Sequence, residues 1–510
     1  MTPAKPLSRR AFGVSLAALA VVAATRADLS WANASLLEPD CLAQWPGWAD
    51  ALRNDLEAMA VKLTARLKPW SGPKRIATPE AFGHRPGDAL STKAIQAAID
   101  SLAKKGGGTV RLAHGDYVSG TLDLRDNIRL DIAKGARLLA SLDLKDWPER
   151  VAKRKTVQDT NMGMNQSLIF AEGCSNIALS GEGTIDGRGG HFHGDETIHG
   201  TPGRPFLLRI IDCKQVHVSG LTLLDSPCWM QNYLNCDDLL IEHLTVVNQA
   251  NWNNDGCDID GCRNVIVRQC SFNSGDDAMC FKGAAQAPTE NVLVEDSTFV
   301  SSCNCLKLGT DSQSVFRNVL ARRLTLGGVT EEMRHFKPIG AISGISWEIV
   351  DGGHAENILA TDIRIDRARS PFFMRVDDRG RVQPGQPKPE VGTLKRVVFE
   401  NITGSDNGPR GSFFIGIPAR RIMDVAMRHI DLGMRATGKP PVDEASIPEM
   451  YNLYPDGDML KDYGDAPALG LWARHVENVT LINVKVTASA PDPRPLIVAK
   501  TDAIAVCVAN

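Results

Sequence analysis

Two acidic motifs lie close together in the middle of the chain. Asn253-Asn254-Asp255-Gly256 precedes Gly275-Asp276-Asp277, and Asp255 and Asp277 are 22 residues apart. If one coil of a solenoid takes about 22 residues, Asp255 lies beneath Asp277 at one strand spacing, roughly 4.8 Å. Carboxylates held so close raise one another's pKa, so at least one of them keeps a proton near neutral pH. A protonated acid beside a charged carboxylate is what hydrolysis of a glycosidic bond requires.

A recurring phrase supplies the elements that would position these acids. A polar turn residue is followed by about seven alternating, largely β-branched residues, and the phrase returns at intervals of about 23 to 39 residues. The turn residues are Asn176, Gln215, Asp238, Asn264, Asn291, Asn318, Asn357, Arg396 and Asn478. Strands of constant length joined by loops of varying length predict an all-β fold, a right-handed parallel β-helix. A β-propeller would need about 40 residues and four strands in every repeat.

The cysteines support the same stacking. Cys174, Cys213, Cys236 and Cys262 each stand two residues before a repeat's turn position. Successive coils would therefore place them in one column. We interpret these residues as small apolar thiols stacked inside the fold and not as disulfides. The Cys303-Asn304-Cys305 spacing does not fit a zinc site, so no metal or other cofactor is expected.

Two helices are predicted before the repeats. An apolar stripe at steps of three and four residues indicates an accessory helix within residues 28 to about 70, packed on the main body. Its members are Trp45, Trp48, Leu52, Leu56, Met59, Leu63 and Leu67. A second helix is predicted from about Thr92 to Lys104, with Ser91 as its N-cap and Gly106-Gly107-Gly108 after its end. It should cover the open end of the stack.

The N-terminus has the pattern of an export signal. Arg9-Arg10 precedes an apolar run from Val14 to Ala24, with the small residue Ala27 after it. This resembles a twin-arginine signal peptide. We therefore predict a signal over residues 1–27, a helical extension and linker over 28–79, and a catalytic β-helix domain over 80–510. A periplasmic or secreted location follows from this division.

Composition narrows the possible partners. The 510 residues are 43% hydrophobic and 23% charged with a formal net charge of -3, so no basic face for nucleic acid is expected. The apolar N-terminal run is too short to span a bilayer comfortably. We expect a monomer that acts on a polysaccharide or oligosaccharide and is associated with neither nucleic acid nor a membrane.

The order of these motifs resembles the polygalacturonase family of glycoside hydrolases, family 28. The resemblance covers roughly residues 80 to 500 and depends on NxD ending at Asp255, on GDDA at 275–278 and on Lys282 shortly after. It implies a right-handed parallel β-helix and hydrolysis with inversion at the anomeric carbon. It further implies that Asp276 is the general acid and that Asp255 and Asp277 orient and deprotonate the attacking water.

The acid pair imposes a geometric demand on this assignment. Inverting hydrolysis needs an acid and a base about 6.5 to 9.5 Å apart, with room for water between them. Asp276 and Asp277 are neighbours, so a bulge or turn at Gly275 must let both reach the cleft. Asp258 and Asp260 are interpreted as acids of solvated turns.

The chain departs from the family pattern at two places. Cys303-Asn304-Cys305 stands where Gly-His-Gly is expected, so the family's histidine is absent, and Arg375-Val376-Asp377 stands for its Arg-Ile-Lys clamp. Lys307 could supply a second cation, although an outward surface lysine has the same pattern. We predict that substrate contacts come from Asn253, Lys282, Asn304, Lys307 and Arg375. The departures favour a rhamnose-containing pectic chain or a terminal sugar over plain galacturonan.

Two other functions compete with hydrolysis. A β-helix polysaccharide lyase would use a basic residue and commonly Ca²⁺, which the cluster of Asp255, Asp276 and Asp277 could bind. A β-helix that binds carbohydrate without catalysis would give no reason for three acids to converge. The segment from Ala436 to Gly470 contains Tyr451, Tyr454 and Tyr463. It is predicted either to form a wall of a sugar site or to close the C-terminal end of the stack.

Overall fold

A computed structural model describes residues 45–154, 156, 165–192, 203–333, 339–381, 385–449, 454–460, 463, 466–500 and 504–507. The predicted signal peptide and the first part of the predicted extension lie outside these residues. The described chain begins with α1 (Gly47–Arg66), followed by β1 (Ile76–Ala77), a 3₁₀ turn (Pro79–Phe82) and α2 (Thr92–Ala103). Further short 3₁₀ turns occur at Leu144–Asp146, Gly189–His191 and Glu444–Ser446.

Short strands make up the first half of the coils. The first coils contain β2 (Gly108–Leu112), β3 (Gly115–Ser119), β4 (Leu122–Asp123), β5 (Ile128–Ile132), β6 (Ala136–Ala140), β7 (Ser167–Glu172), β8 (Ser175–Gly181) and β9 (Thr184–Asp186). The middle coils contain β10 (Phe206–Ile211), β11 (Lys214–Ser219), β12 (Thr222–Leu224), β13 (Gln231–Leu234), β14 (Asp237–Glu242), β15 (Thr245–Asn248), β16 (Cys257–Asp260), β17 (Arg263–Arg268), β18 (Ser271–Ser274) and β19 (Met279–Lys282).

The last coils alternate long and short strands. They contain β20 (Thr289–Ser301), β21 (Asn304–Leu308), β22 (Val315–Gly328), β23 (Ala341–Ile349), β24 (His354–Asp366), β25 (Ala368–Val376), β26 (Thr393–Asn407), β27 (Ser412–Ile415), β28 (Ile422–Met434), β29 (Leu471–Arg474), β30 (Val476–Ala488), β31 (Ile497–Lys500) and β32 (Ile504–Cys507).

Strands of successive coils pair in parallel, which makes the fold a right-handed parallel β-helix, as predicted. A twelve-stranded sheet runs from β4 to β31 along one face, and the other strands form a second sheet that wraps the remaining faces. Inward side chains of every coil join one continuous apolar core. Functional side chains on the outer face of the twelve-stranded sheet therefore stand on a rigid support.

The predicted turn residues mark the corners of the coils. All nine have a left-handed backbone, with φ between 53° at Asn176 and 62° at Asp238. Several also bond to the same position of the next coil: the Nδ2 of Asn318 donates to the Oδ1 of Asn291 at 3.0 Å. Asn and Asp tolerate this conformation better than branched residues, which explains the polar residue at each corner.

The cysteine column forms as predicted. The backbone N–H of Cys236 donates to the Sγ of Cys262 at 3.2 Å, and that of Cys174 to the Sγ of Cys213 at 3.4 Å. These four thiols are buried, and the structure draws no disulfide between them. They fill the interior as small polarisable groups.

Both predicted helices form, and each covers a different part of the stack. The stripe of α1 packs on an outward ladder of aliphatic side chains from seven coils: Leu240, Ile266, Leu293, Leu320, Leu359, Val398 and Ala426. The 20 residues of α1 extend about 30 Å, and six strand spacings extend about 29 Å, so the helix matches the ladder in length. Arg66 binds Asp238 at 2.6 Å, which fixes one end of α1.

The second helix closes the N-terminal end of the β-helix, as expected. Gln96 pairs with the backbone of Asp123 in both directions, at 2.9 and 3.0 Å. The predicted cap at Ser91 is wrong in its chemistry, because the Ser91 hydroxyl bonds to His84 and makes no capping bond. Among the described residues, no helix is both long enough and apolar enough to cross a membrane.

Candidate active site

The two acidic motifs meet where β16 and β19 begin. Cys257 pairs with Met279, and Asp260 pairs with Lys282. The same register continued by two residues sets Asp255 beside Asp277, and the N–H of Gly256 donates to the carbonyl of Asp277 at 2.8 Å. A Cβ at Gly256 would lie 2.4 Å from the Ala278 carbonyl oxygen, so only glycine permits this approach. The predicted 22-residue coil is therefore present at the acids.

Both members of the acid pair occupy a turn and not a strand. β18 ends at Ser274 and β19 begins at Met279, so the alternation of faces along a strand does not apply to Asp276 and Asp277. Asp276 is half-buried, and its Oδ1 accepts the N–H of Asp277 at 3.0 Å. The turn that the sequence required after Gly275 is therefore present.

The Asp277 carboxylate is held by two donors from the next coil. Its Oδ1 accepts from the Nδ2 of Asn304 at 2.7 Å, and its Oδ2 lies 3.2 Å from the Nζ of Lys307. Only 3% of Asp277 is exposed. Both oxygens of this carboxylate therefore face a donor from the next coil, one amide and one ammonium.

A second lysine, Lys282, is ion-paired with two other acids, Asp255 and Asp258. The Nζ of Lys282 lies 3.5 Å from Asp255 and 3.3 Å from Asp258, and 4.6 Å from the centre of the Trp229 ring. Burial raises the pKa of Asp255 well above its usual range and that of Asp258 to about 7, with mutual repulsion adding to the effect on Asp255. Burial alone would lower the pKa of Lys282, but the surrounding Cys280, Asp258 and Asp255 raise it. One ammonium shared by two acids leaves this group able to keep a proton.

The sequence interpretation of Asp258 and Asp260 as solvated turn acids is wrong. Both lie on β16, where Cys257 and Ile259 point into the core, and both are buried, at 0% and 1% exposure. The Oδ1 of Asp260 accepts the N–H of Ala285 at 2.9 Å, and burial raises its pKa to about 7. The predicted list of site residues therefore missed Asp258, which shares its lysine with Asp255.

The residues predicted to bind substrate fall into different environments. Asn253 is half-buried and accepts from Arg204 at 3.0 Å, beside the exposed ring of Trp252. Asn304 is fully buried against Asp277, while Lys282 and Lys307 are only 5% and 2% exposed and are ion-paired. Direct contact of either ammonium with a substrate carboxylate is thus closed off in this structure.

Arg375 does not reach the acid site, which corrects the predicted clamp. Its guanidinium is fully buried and bonds to Asp377 at 2.7 Å and to the carbonyls of Gly416 and Glu449. Arg375 pairs with Glu348 of the preceding coil, which in turn follows the coil of Lys307. It therefore lies two coils beyond Lys307, where it ties the 436–470 segment to the sheet.

In the described residues, that segment covers an outer face of the sheet and not the C-terminal end of the stack. Ile447, Met459, Leu460 and Ala468 pack on the outer face of the C-terminal strands. Tyr454 is 59% exposed, with its ring centre 5.9 Å from the Nζ of Lys307 and its hydroxyl 3.2 Å from that of Thr310. Tyr463 is 42% exposed, and Tyr451 lies outside the described residues. The segment thus covers the sheet and extends to the rim of the acid site.

The electrostatics favour proton transfer over calcium binding. Asp276, Asp277 and Cys303 offer ligand atoms within 4.8 Å of one another, but a thiol is a poor partner for Ca²⁺. The ammonium groups of Lys282 and Lys307 already lie beside Asp255, Asp258 and Asp277. The site then consists of three parts. They are the Asp277 carboxylate, which is fixed by two donors, the pair Asp255 and Asp258, which can keep a proton, and the half-buried Asp276 beside them. Glycoside hydrolysis is the chemistry that uses these groups.

The β-helix and its acid site thus define the class of glycoside hydrolases. The family model of glycosyl hydrolases family 28 matches residues 150–440, and the chain belongs to this family. A probable polygalacturonase of Vitis vinifera is 30% identical over 372 residues, covering 69% of this chain and 73% of the relative.

Solved structures agree on the fold. An exopolygalacturonase of Thermotoga maritima has a TM-score of 0.63 at 20% identity and covers 74% of this chain and 91% of its own. A family 28 exopolygalacturonase of Yersinia enterocolitica has a TM-score of 0.61 at 18% identity, covering 85% and 79%. Membership of the hydrolase family supports hydrolysis over the lyase alternative.

The buried acids predict a stability that depends on pH. Asp260 has a folded-state pKa of about 7, above the value of about 4 for an unfolded chain, so its stabilising contribution is present below about pH 4 and is lost as pH rises through 7. Asp260→Asn keeps the acceptor for Ala285 without the charge. In urea unfolding, we expect the variant to gain about 2–4 kcal/mol over the wild type at about pH 8 and little at about pH 4.

The exposed Asp431 provides a matched substitution for this comparison. Its side chain is 56% exposed beside Lys485. Asp431→Asn should show the same pH slope as the wild type, since a solvated carboxylate changes its environment little on folding. Equal slopes in Asp260→Asn and the wild type would show that Asp260 does not hold a raised pKa.

Proposed function

We propose that this chain hydrolyses glycosidic bonds in pectic or related acidic polysaccharides and oligosaccharides, with inversion at the anomeric carbon. Asp276 acts as the general acid, and of the pair Asp255 and Asp277, Asp277 deprotonates the attacking water and Asp255 helps to orient it. The observation that carries the proposal is the convergence of these acids from two coils, with Asp277 held as a carboxylate by Asn304 and Lys307.

The environments of the acids support separate roles. A general base must be ionised, which suits Asp277 between its two donors. A general acid must reach the leaving oxygen, which suits the half-buried Asp276 more than its buried neighbours. Asn253 and Trp252 lie on the same turn as Asp255, within about 11 Å along the chain, and are placed to contact the sugar. Substrate binding by Asn253 is part of the proposal, whereas Asn304 is fully buried against Asp277 and holds that carboxylate.

The proposal favours rhamnogalacturonan-type chains over plain homogalacturonan. In the described residues the lysines at the acids are neutralised by Asp255, Asp258 and Asp277, and Arg375 is bound elsewhere. Repeated uronate carboxylates would then meet few cations at the site.

Product analysis on a panel of pectic oligosaccharides tests the proposal. We expect new reducing ends on rhamnogalacturonan pieces, less or none on homogalacturonan, and a first-formed anomer opposite to that of the bond cleaved. The lengths of the earliest products show whether chain ends or interior bonds are cut. Products with an unsaturated, ultraviolet-absorbing end would contradict hydrolysis, and activity on homogalacturonan alone would contradict the substrate assignment.

The proposal includes the cellular location and the division of the chain. Residues 1–27 direct export by the twin-arginine route, residues 28–79 are an extension that includes α1, and residues 80–510 are the catalytic domain. The exported protein is a monomer in the periplasm or the medium. Changing Arg9 and Arg10 to lysine should keep the protein in the cytoplasm of a bacterial host, and unchanged export would contradict the signal assignment.

A further inference from the structure

Lys307 occupies an unusual position for a lysine on a β-helix. It lies on β21 between Leu306 and Leu308, which point into the core, so its own side chain projects outward. An outward lysine is ordinarily solvated, yet Lys307 is only 2% exposed. Its ammonium group is enclosed by the acid turn on one side, by β23 on another and by Tyr454 above.

Two carboxyl groups lie on opposite sides of this ammonium. The Nζ of Lys307 is 3.2 Å from the Oδ2 of Asp277 and 3.8 Å from the Oε2 of Glu348. Glu348 is fully buried, and its Oε1 accepts from the hydroxyl of Ser346 at 2.5 Å. Ser346 is the residue that pairs with Lys307 across the ladder. Glu348 of the next coil therefore holds the ammonium group of Lys307 in place, and this ammonium group in turn holds the carboxylate of Asp277.

Together with Asn304, Lys307 satisfies both oxygens of Asp277. Asn304 stands where the family resemblance leads one to expect a histidine, and its Nδ2 donates to the Oδ1 of Asp277. The other carboxylate oxygen of Asp277, Oδ2, is ion-paired with the ammonium group of Lys307. A substrate-binding role for Lys307, as expected from the sequence, would require it to leave a buried ion pair, which is costly for both partners.

We propose that Lys307 is a positioning residue that keeps Asp277 ionised and oriented for water activation, and thereby sets the lower pH limit of the reaction. The inference rests on the proposed role of Asp277 as a base. It gives the chain a replacement for the missing histidine by a different chemical group. Glu348 holds the far side of the ammonium and does not touch Asp277.

Other titratable groups surround this contact and must be considered with it. The acid turns and β16 contribute Asp255, Asp276 and Asp258, and β19 contributes Lys282 and Cys280. Cys303 comes from the turn between β20 and β21, Glu348 from β23, and Tyr454 and Asp456 from the 436–470 segment. Most of them are acidic. Without Lys307, the Asp277 carboxylate would lie among these acids, and Asn304 would be the donor left to its oxygens.

The test is the pH dependence of kcat/KM for Lys307→Met, measured on whichever oligosaccharide the wild type hydrolyses. The acidic limb of the profile should move to higher pH by about one unit or more, because an opposite charge at this distance shifts a carboxyl group by that amount. Lys307→Arg keeps the positive charge, so the acidic limb of its profile should lie close to the pH of the wild-type limb. Circular dichroism of each variant establishes that the β-helix is intact.

Two further variants separate this role from others. Burial raises the pKa of Glu348 to about 7, so its carboxyl is already neutral on the acidic limb and Glu348→Gln should leave that limb in place. Lys485→Met, at an exposed ion pair, should leave the whole profile unchanged.

Two results of the Lys307→Met measurement, and one of the Lys485→Met control, would overturn the inference. A lower kcat with an unmoved limb would make Lys307 merely structural, and a higher KM alone would make it a substrate ligand. A limb moved equally by Lys485→Met would point to a general charge effect. The role of Asp276 is judged separately by its own variant, so the proposed function can fail while this shift is still observed, or stand without it.

Discussion

Asp276→Asn is expected to lower kcat by about 10²- to 10⁴-fold, the contribution of a positioned general acid. The substitution suits the question because the Oδ1 of Asp276 accepts the N–H of Asp277, and the asparagine oxygen can accept the same bond. The turn is therefore preserved while the transferable proton is removed. Release of reducing ends from the preferred oligosaccharide measures the loss.

The leaving group distinguishes an acid from a base in this series. A nitrophenyl glycoside needs little protonation to depart, so Asp276→Asn should lose much less on it than on an oligosaccharide. Asp277→Asn should lose about equally on both, since its proposed role is on the side of the water. The exposed Asp431→Asn is the control and should remain near wild type. Activity of Asp276→Asn within tenfold of the wild type would show that another group donates the proton.

Leu56→Ala is expected to lower the free energy of unfolding by about 2–5 kcal/mol, the usual cost of truncating a buried leucine. Leu56 is 2% exposed in the seam between α1 and the aliphatic ladder of the β-helix. Urea denaturation followed by circular dichroism measures the change. Activity at low temperature should persist, because the acid site is on a different sheet.

The same helix contains a matched exposed position. Val61 is 70% exposed, and Val61→Ala should change the stability by less than about 0.5 kcal/mol. An equal effect of the two substitutions would mean that they act through helix propensity and not through the seam. An unchanged stability in Leu56→Ala would mean that α1 is not held where the structure places it.

The repeat could be predicted from the sequence because one local rule recurs. Each corner needs a residue that tolerates positive φ, and Asn or Asp met that need in most coils, with Gln215 and Arg396 as less obvious cases. The 22 residues between Asp255 and Asp277 equal one coil, and this separation predicted that the two acids lie side by side. Local chemistry and coil length together determined this part of the site.

Asp258 and Asp260 were misinterpreted because their neighbourhood comes from other coils. The sequence DGCDIDG looks like a solvated turn, whereas in the structure Cys257–Asp260 form the strand β16. A signal was available: Lys282 follows Asp260 by the same 22 residues, and the two pair across the ladder. A buried lysine one coil away indicates buried acids, and this relation could have been read from the spacing.

Glu348 and Arg375 could not have been placed in the same way. Lys307 pairs with Ser346 over a separation of 39 residues, so the irregular coil length hid the proximity of Glu348. Arg375 matched a motif by residue type alone, but its partners Gly416 and Glu449 come from later parts of the chain. When a distant segment such as 436–470 packs on a sheet face, its contacts follow no repeat and cannot be recognised from periodicity in the sequence.

The position of α1 has a consequence for the order of folding. The helix is made early in synthesis, but the ladder that receives it ends at Ala426, 360 residues after Arg66. At about 5–20 residues per second, the ribosome takes roughly 20–70 s to complete that surface. The helix therefore completes its docking only after Ala426 has been made, and a fully docked α1 indicates that the seven coils beneath it are assembled.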